Sequence, residues 1–116
     1  MNPAHAALVA ATLREKRFVD VEVRAMSSDA WRTVRGEEGR GSGRQSFEGF
    51  ATGFVEDQDV VTLMVEDFPD GRPVEGWQVR FQDLVTLEYR VRPISGSVET
   101  GDKAGLLLRA PLGPVL

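Results

Sequence analysis

The spacing of hydrophobic residues changes at Phe18. Before it, Ala6, Val9, Ala10 and Leu13 fall three or four apart, the spacing of one helix face. Asn2 is a good N-cap and Pro3 suits the first helical position. Arg14, Lys16 and Arg17 put cations in the last turn, where the helix dipole favours them. From Phe18 the period is two. In "FVDVEVRAM", Val19, Val21, Val23 and Ala25 face one way and Asp20, Glu22 and Arg24 the other, which predicts a half-buried strand. "WRTVR" reads as a short strand, and "QSFEGFATGFVE" alternates again, with Gly49 and Gly53 marking a bend. "VVTLMVE" turns Val61, Leu63 and Val65 inward, and "WQVRF" does the same with Trp77, Val79 and Phe81. After a short connector, "QDL", the stretch "VTLEYRVR" is expected to bury Leu87, Tyr89 and Val91 and to expose Glu88, Arg90 and Arg92.

These elements predict a mainly β fold. A helix over residues 1–17 packs on a five-stranded antiparallel barrel over 18–93, and 94–116 form a C-terminal extension. The segment "RGEEGRGSGRQ", residues 35–45, reads as an elongated loop between two strands, because almost nothing in it can enter a core. The end of the chain, "GLLLRAPLGPVL", is too apolar for a solvated tail. Leu106, Leu107, Leu108 and Leu112 either add a strand or dock on a neighbouring subunit.

Composition narrows the function. The 116 residues suit one domain. The absence of cysteine excludes disulfides, Cys-ligated zinc and thiol catalysis, and is compatible with a reducing cytoplasm. No apolar run approaches the roughly 20 residues of a membrane span, so no membrane partner is expected. The N-terminus lacks a basic region ahead of its apolar part and reads as a mature helix, not a signal peptide. The net charge of −4 is uneven, being +2 over residues 1–44, −8 over 45–89 and +2 over 90–116. Any polyanion must therefore be bound locally, at the basic ends.

Chemistry-bearing clusters are few. The one histidine, His5, has no second imidazole to complete a metal site or a triad. The acidic groups Glu56, Asp57, Asp59 and Glu66, Asp67, Asp70 lack calcium-loop spacing and read as solvated turns. "GEEGRGSG" lacks the Gly-Lys-Ser/Thr ending of a phosphate loop. No catalytic residue, metal or cofactor is expected.

The stretches "FEGFATGFVEDQDVVTLMVED" and "VRFQDLVTLEYRVRP" resemble the Sm-like branch of the SH3-like barrels, and among these the C-terminal barrel of the bacterial ribosome-maturation factor RimP. In that family a glycine-bearing strand, an acidic turn and a V-x-L strand precede an I-x-F-x-D-I segment. Here Gly49, the turn at 56–59, Val61-Thr62-Leu63 and Val79-Arg80-Phe81-Gln82-Asp83-Leu84 hold those places. The likeness covers residues 18–93 as a pattern. It implies an SH3-like/Sm-like barrel, and RNA binding by analogy. The nucleotide-pocket residues of the Sm family match nothing here, since Val60-Val61 and Phe81-Gln82-Asp83 replace the asparagine and the Arg-Gly pair.

Two functional readings follow. In the first, a small non-catalytic domain contacts RNA or a ribonucleoprotein. Trp31 stacks on an unpaired base, and Arg32, Arg35, Arg40 and Arg44, joined by Arg90 and Arg92, meet phosphates. Glu37 and Glu38 offset half of the four loop charges, and Arg90 and Arg92 equally suit ion pairs with Asp20 and Glu22. In the second, the domain is a protein-interaction or homo-oligomerisation module that uses strand edges and the apolar tail. A continuous positive face would favour the first; positive charge broken by acids would favour the second.

Overall fold

A computed structural model describes residues 2–41, 58–102 and 104–116. The helix α1, Pro3–Lys16, begins where the caps place it, with the Asn2 side chain accepting a hydrogen bond from the Ala4 N–H at 2.8 Å. The described residues form seven strands: β1 (Val19–Arg24), β2 (Arg32–Gly41), β3 (Gln58–Met64), β4 (Gln78–Gln82), β5 (Tyr89–Pro93), β6 (Glu99–Thr100) and β7 (Leu107–Pro111). All pair antiparallel in one sheet, in the order β5-β4-β1-β2-β3-β7-β6. The sheet curls over its core as a half-barrel and does not close. Its two sides approach near the chain end, through a bridge between Ile94 and Leu112 and a 2.8 Å hydrogen bond from the Gly113 N–H to the Pro93 carbonyl.

This corrects the expected five-stranded barrel. The extra strands come from the C-terminal extension, where Leu108 and Leu112 are core residues and β7 pairs along β3. The expected strand "QSFEGFATGFVE", with its Gly49 and Gly53 bend, lies outside the described residues.

A second correction concerns residues 35–41, expected in a loop. They continue β2, which changes neighbours midway: Arg32 to Gly36 pair with β1, and Gly36 to Gly41 pair with β3. Gly36 is the point of exchange, and a Cβ there would stand 2.7 Å from the Thr62 carbonyl oxygen and 2.8 Å from Leu63 Cδ2. The glycine is present because the curled sheet leaves no room inside the bend.

The alternation of β1, β3 and β4 fills the concave side. Val21, Val23, Val34, Val61, Leu63, Val79, Phe81 and Leu108 are buried together there. Val19, expected to face inward with them, is half exposed. Met64 and Leu107, a cross-strand pair of opposite parity, point to the other side. Helix α1 covers them with Ala10 and Leu13, and Phe18 completes this smaller cluster. The helix is held by Arg14, which forms ion pairs with Glu66 at 2.8 Å and with Asp67. Among the described residues no helix is long and apolar enough to cross a membrane.

Candidate functional site: a pinned hairpin and an arginine-rimmed cleft

Among the described side chains assigned to a basic surface, Arg90 and Arg92 meet on Glu38, and Arg35 is held apart from them. Arg35 pairs with Asp20 across β1–β2, at 2.8 Å. Arg90 and Arg92, expected on the exposed side, sit in register with Phe81 and Val79 and so face the concave side. Arg90 forms a two-pronged contact with Glu38, at 2.7 and 3.1 Å. Arg92 reaches Glu38 at 3.2 Å and Asp59 at 2.9 Å, and its Nε donates to the Gly113 carbonyl at 2.7 Å. Only 11% of the Arg92 side chain is exposed. Their partners are thus Glu38 and Asp59 on β2 and β3, not Asp20 and Glu22, because β4 lies between β5 and β1. Burial alone would raise the Glu38 pKa. The hydrogen bonds and charges of Arg90 and Arg92 outweigh it and hold that carboxyl below the usual glutamate range.

Trp31 lies on the convex side, against the guanidinium of Arg24 at 4.1 Å and that of Arg80 at 4.7 Å. Arg80 also lies over the Tyr89 ring at 4.3 Å and binds Glu22 with both prongs. Arg40 occupies the β2 position opposite Asp59, and Arg44 lies outside the described residues. Of the tail residues, Leu106 and Leu107 are half-buried, and Leu108 and Leu112 are buried.

Two features that the sequence reading did not single out remain. The first is the turn joining β4 to β5, residues 83–88. The Asp83 carboxylate accepts hydrogen bonds from the Val85 N–H at 2.8 Å and the Thr86 N–H at 3.0 Å. The Asp83 N–H donates to the Glu88 carbonyl and the Leu87 N–H to the Asp83 carbonyl, each at 2.8 Å. The Thr86 N–H, then that of Val85, draws the Asp83 pKa below its ordinary value. Leu84, Val85 and Leu87, on this fixed loop, are 83%, 91% and 64% exposed, and Tyr89, next to it, is 51% exposed. Leu87, expected in a core, has a φ of 63°, in the left-handed region that disfavours a bulky side chain.

The second feature is a cleft of about 470 Å³ at the other end of the half-barrel. It opens between the end of β1, the start of β2, the Asp70–Arg72 turn and Trp77, which immediately precedes β4. Phe68 and Trp77 form an edge-to-face wall, their centroids 6.2 Å apart. The Arg32 guanidinium lies over Phe68 at 4.9 Å, and neither it nor Arg72 has an ion-pair partner among the described residues. Asp29 and Asp70 also line the cleft, and the Asp29 carboxylate accepts the Met26 N–H at 3.0 Å.

The signal for the hairpin was Asp83, an aspartate placed to bond backbone N–H groups two and three residues on, the habit of an Asx turn. The cleft had no local signal, since its walls come from four separate segments. No cluster of three or more potential metal ligands occurs among the described residues. Comparison of the chain with protein-family models, curated proteins and solved structures finds no match.

Proposed function

We propose that this protein is a non-catalytic interaction module that engages another protein through the β4–β5 hairpin. The observation that carries this reading is Leu87. Its side chain adds nothing to the core, and its backbone sits where a β-carbon costs about 1–2 kcal/mol. Glycine or asparagine would suit that position better. An exposed leucine kept at a strained position makes sense when the side chain is used outside the monomer. Leu84 and Val85 stand beside it, and a turn tied by Asp83 presents all three with little entropy left to lose on binding. Small rigid apolar surfaces of this kind suit protein partners.

RNA contact through the basic segment has weaker support. It asks for free guanidiniums on one face, whereas Arg35, Arg90 and Arg92 are each matched to a carboxylate on the chain itself. This positive charge is broken by acids, the pattern that favours protein contacts.

A photo-crosslinking side chain at position 85, used in extract of the native host, tests the proposal. A protein adduct is expected that disappears when Leu87→Asn is added and survives Arg35→Ala. The reading fails if position 85 yields no protein adduct while the purified chain binds RNA in a salt-dependent way that Arg35→Ala with Arg40→Ala and Arg44→Ala abolishes.

A further inference from the structure

The hairpin and the cleft complement one another, and we infer that the partner is a second copy of this chain: the Leu84–Leu87 tip of one copy docks in the Arg32/Arg72 cleft of the next. This inference rests on the hairpin being a protein-binding element. The tip carries apolar Leu84 and Val85 between Asp83 and Glu88, and Glu88 forms no ion pair among the described residues. The cleft offers the inverse, the aromatic edges of Phe68 and Trp77 inside and the unpaired Arg32 and Arg72 at the rim. Asp29 and Asp70 share the lining with Arg24, Arg32 and Arg72, so the lining keeps an excess of positive charge towards an incoming acidic tip. The volume of about 470 Å³ is in the range of clefts that take a ligand of several side chains.

Topology excludes self-docking within one copy. Trp77 precedes the first residue of β4 and Asp83 follows its last, so the two surfaces lie at opposite ends of a five-residue strand, roughly 17 Å apart. Two different surfaces at opposite ends can pair in one direction only, which propagates into a ring or a filament, or reciprocally across a two-fold axis, which closes as a dimer.

The experiment is sedimentation of the purified full-length chain over a wide concentration range, with complementary variants. The wild type is expected to associate as concentration rises, into a dimer if the docking is reciprocal and into larger species if it runs in one direction. Val85→Asp alone, and Arg32→Glu with Arg72→Glu alone, should each remain monomeric. Mixed in equal amounts they should form a heterodimer that grows no further, since each variant keeps one intact surface. Leu87→Asn serves as a second tip variant that relieves strain, so a folding defect cannot mimic the result; circular dichroism checks all variants. A wild type that stays monomeric throughout, variants that associate like the wild type, or a mixture that fails to pair overturns the inference. If the wild type is monomeric yet position 85 crosslinks a different protein in a Leu87-dependent way, self-assembly falls and the interaction-module reading stands. If position 85 contacts no protein at all, both fall.

Discussion

At the residue scale, Leu87 and Gly36 present opposite cases of backbone and side chain in tension. Leu87 carries a side chain its backbone does not want. Gly36 lacks one because the sheet has no space for it. Leu87→Asn is therefore expected to leave the fold as stable or make it more stable by up to about 1 kcal/mol, through relief of left-handed strain. Chemical denaturation checks this. A clear loss of stability would mean the leucine serves the monomer after all. Gly36→Ala goes the other way. Its Cβ would meet the Thr62 carbonyl oxygen, a backbone atom that cannot move without disturbing the β2–β3 ladder. A cost of about 1–3 kcal/mol is expected, the usual penalty of overpacking, and a lowered denaturation midpoint with an unchanged slope would register it.

At the element scale, the long β2 strand is where sequence reasoning was least able to see the fold. Period-two alternation identified β1, β3 and β4, because one face of each is a row of valine, leucine or phenylalanine. In β2 the inward positions after Val34 are Gly36 and Glu38. A glycine chosen for close approach and a glutamate chosen for an ion pair give no apolar row, so the segment read as a loop. β5 failed for a related reason. Its inward residues are Arg90 and Arg92, the partners of that same Glu38, so the apolar residues Tyr89 and Val91 were wrongly given the core side. Both errors are one error: the concave side near β5 is closed by charge and not by hydrocarbon. The helix and its caps were legible, since those signals are local. Neither the hairpin's exposure nor the cleft was legible, since each depends on which strands become neighbours.

At the scale of the whole molecule, that internal ion cluster links distant parts of the sheet. Arg90 and Arg92 on the outlying strand β5 grip Glu38 and Asp59 on β2 and β3 across the concavity, and Arg92 also ties down Gly113. In a half-barrel without a closing ladder, this cluster helps to hold the open side together. Removing Arg92 takes from Glu38 the weaker of its two arginine contacts, from Asp59 a donor at 2.9 Å, and from the carbonyl of buried Gly113 a donor at 2.7 Å. Arg92→Ala is expected to cost about 1–3 kcal/mol, the range for an unsatisfied buried acceptor, where a surface pair would cost under about 1.

The same cluster sets a dependence on pH. Glu38 has a folded-state pKa below its unfolded value, so its contribution is complete above the ordinary glutamate value of about 4.3. As pH falls through that value towards the lower folded one, the unfolded chain binds the proton first and the contribution is lost. Stability should therefore decline on acidification across that window. Glu38→Gln should lower stability near neutral pH and flatten this part of the acid limb, as it removes the titrating group while leaving a side chain of the same size. Denaturation midpoints of both proteins, measured from neutral to acid pH, decide the matter. Parallel curves would show that Glu38 does not couple the two sides of the sheet, whereas convergence at low pH is the expected result. The hairpin turn shares this direction, because protonation of Asp83 weakens the acceptor that ties Val85 and Thr86. Loss of assembly on acidification should consequently accompany loss of stability, and faster amide exchange at Val85 and Thr86 would reveal the hairpin's own part in it.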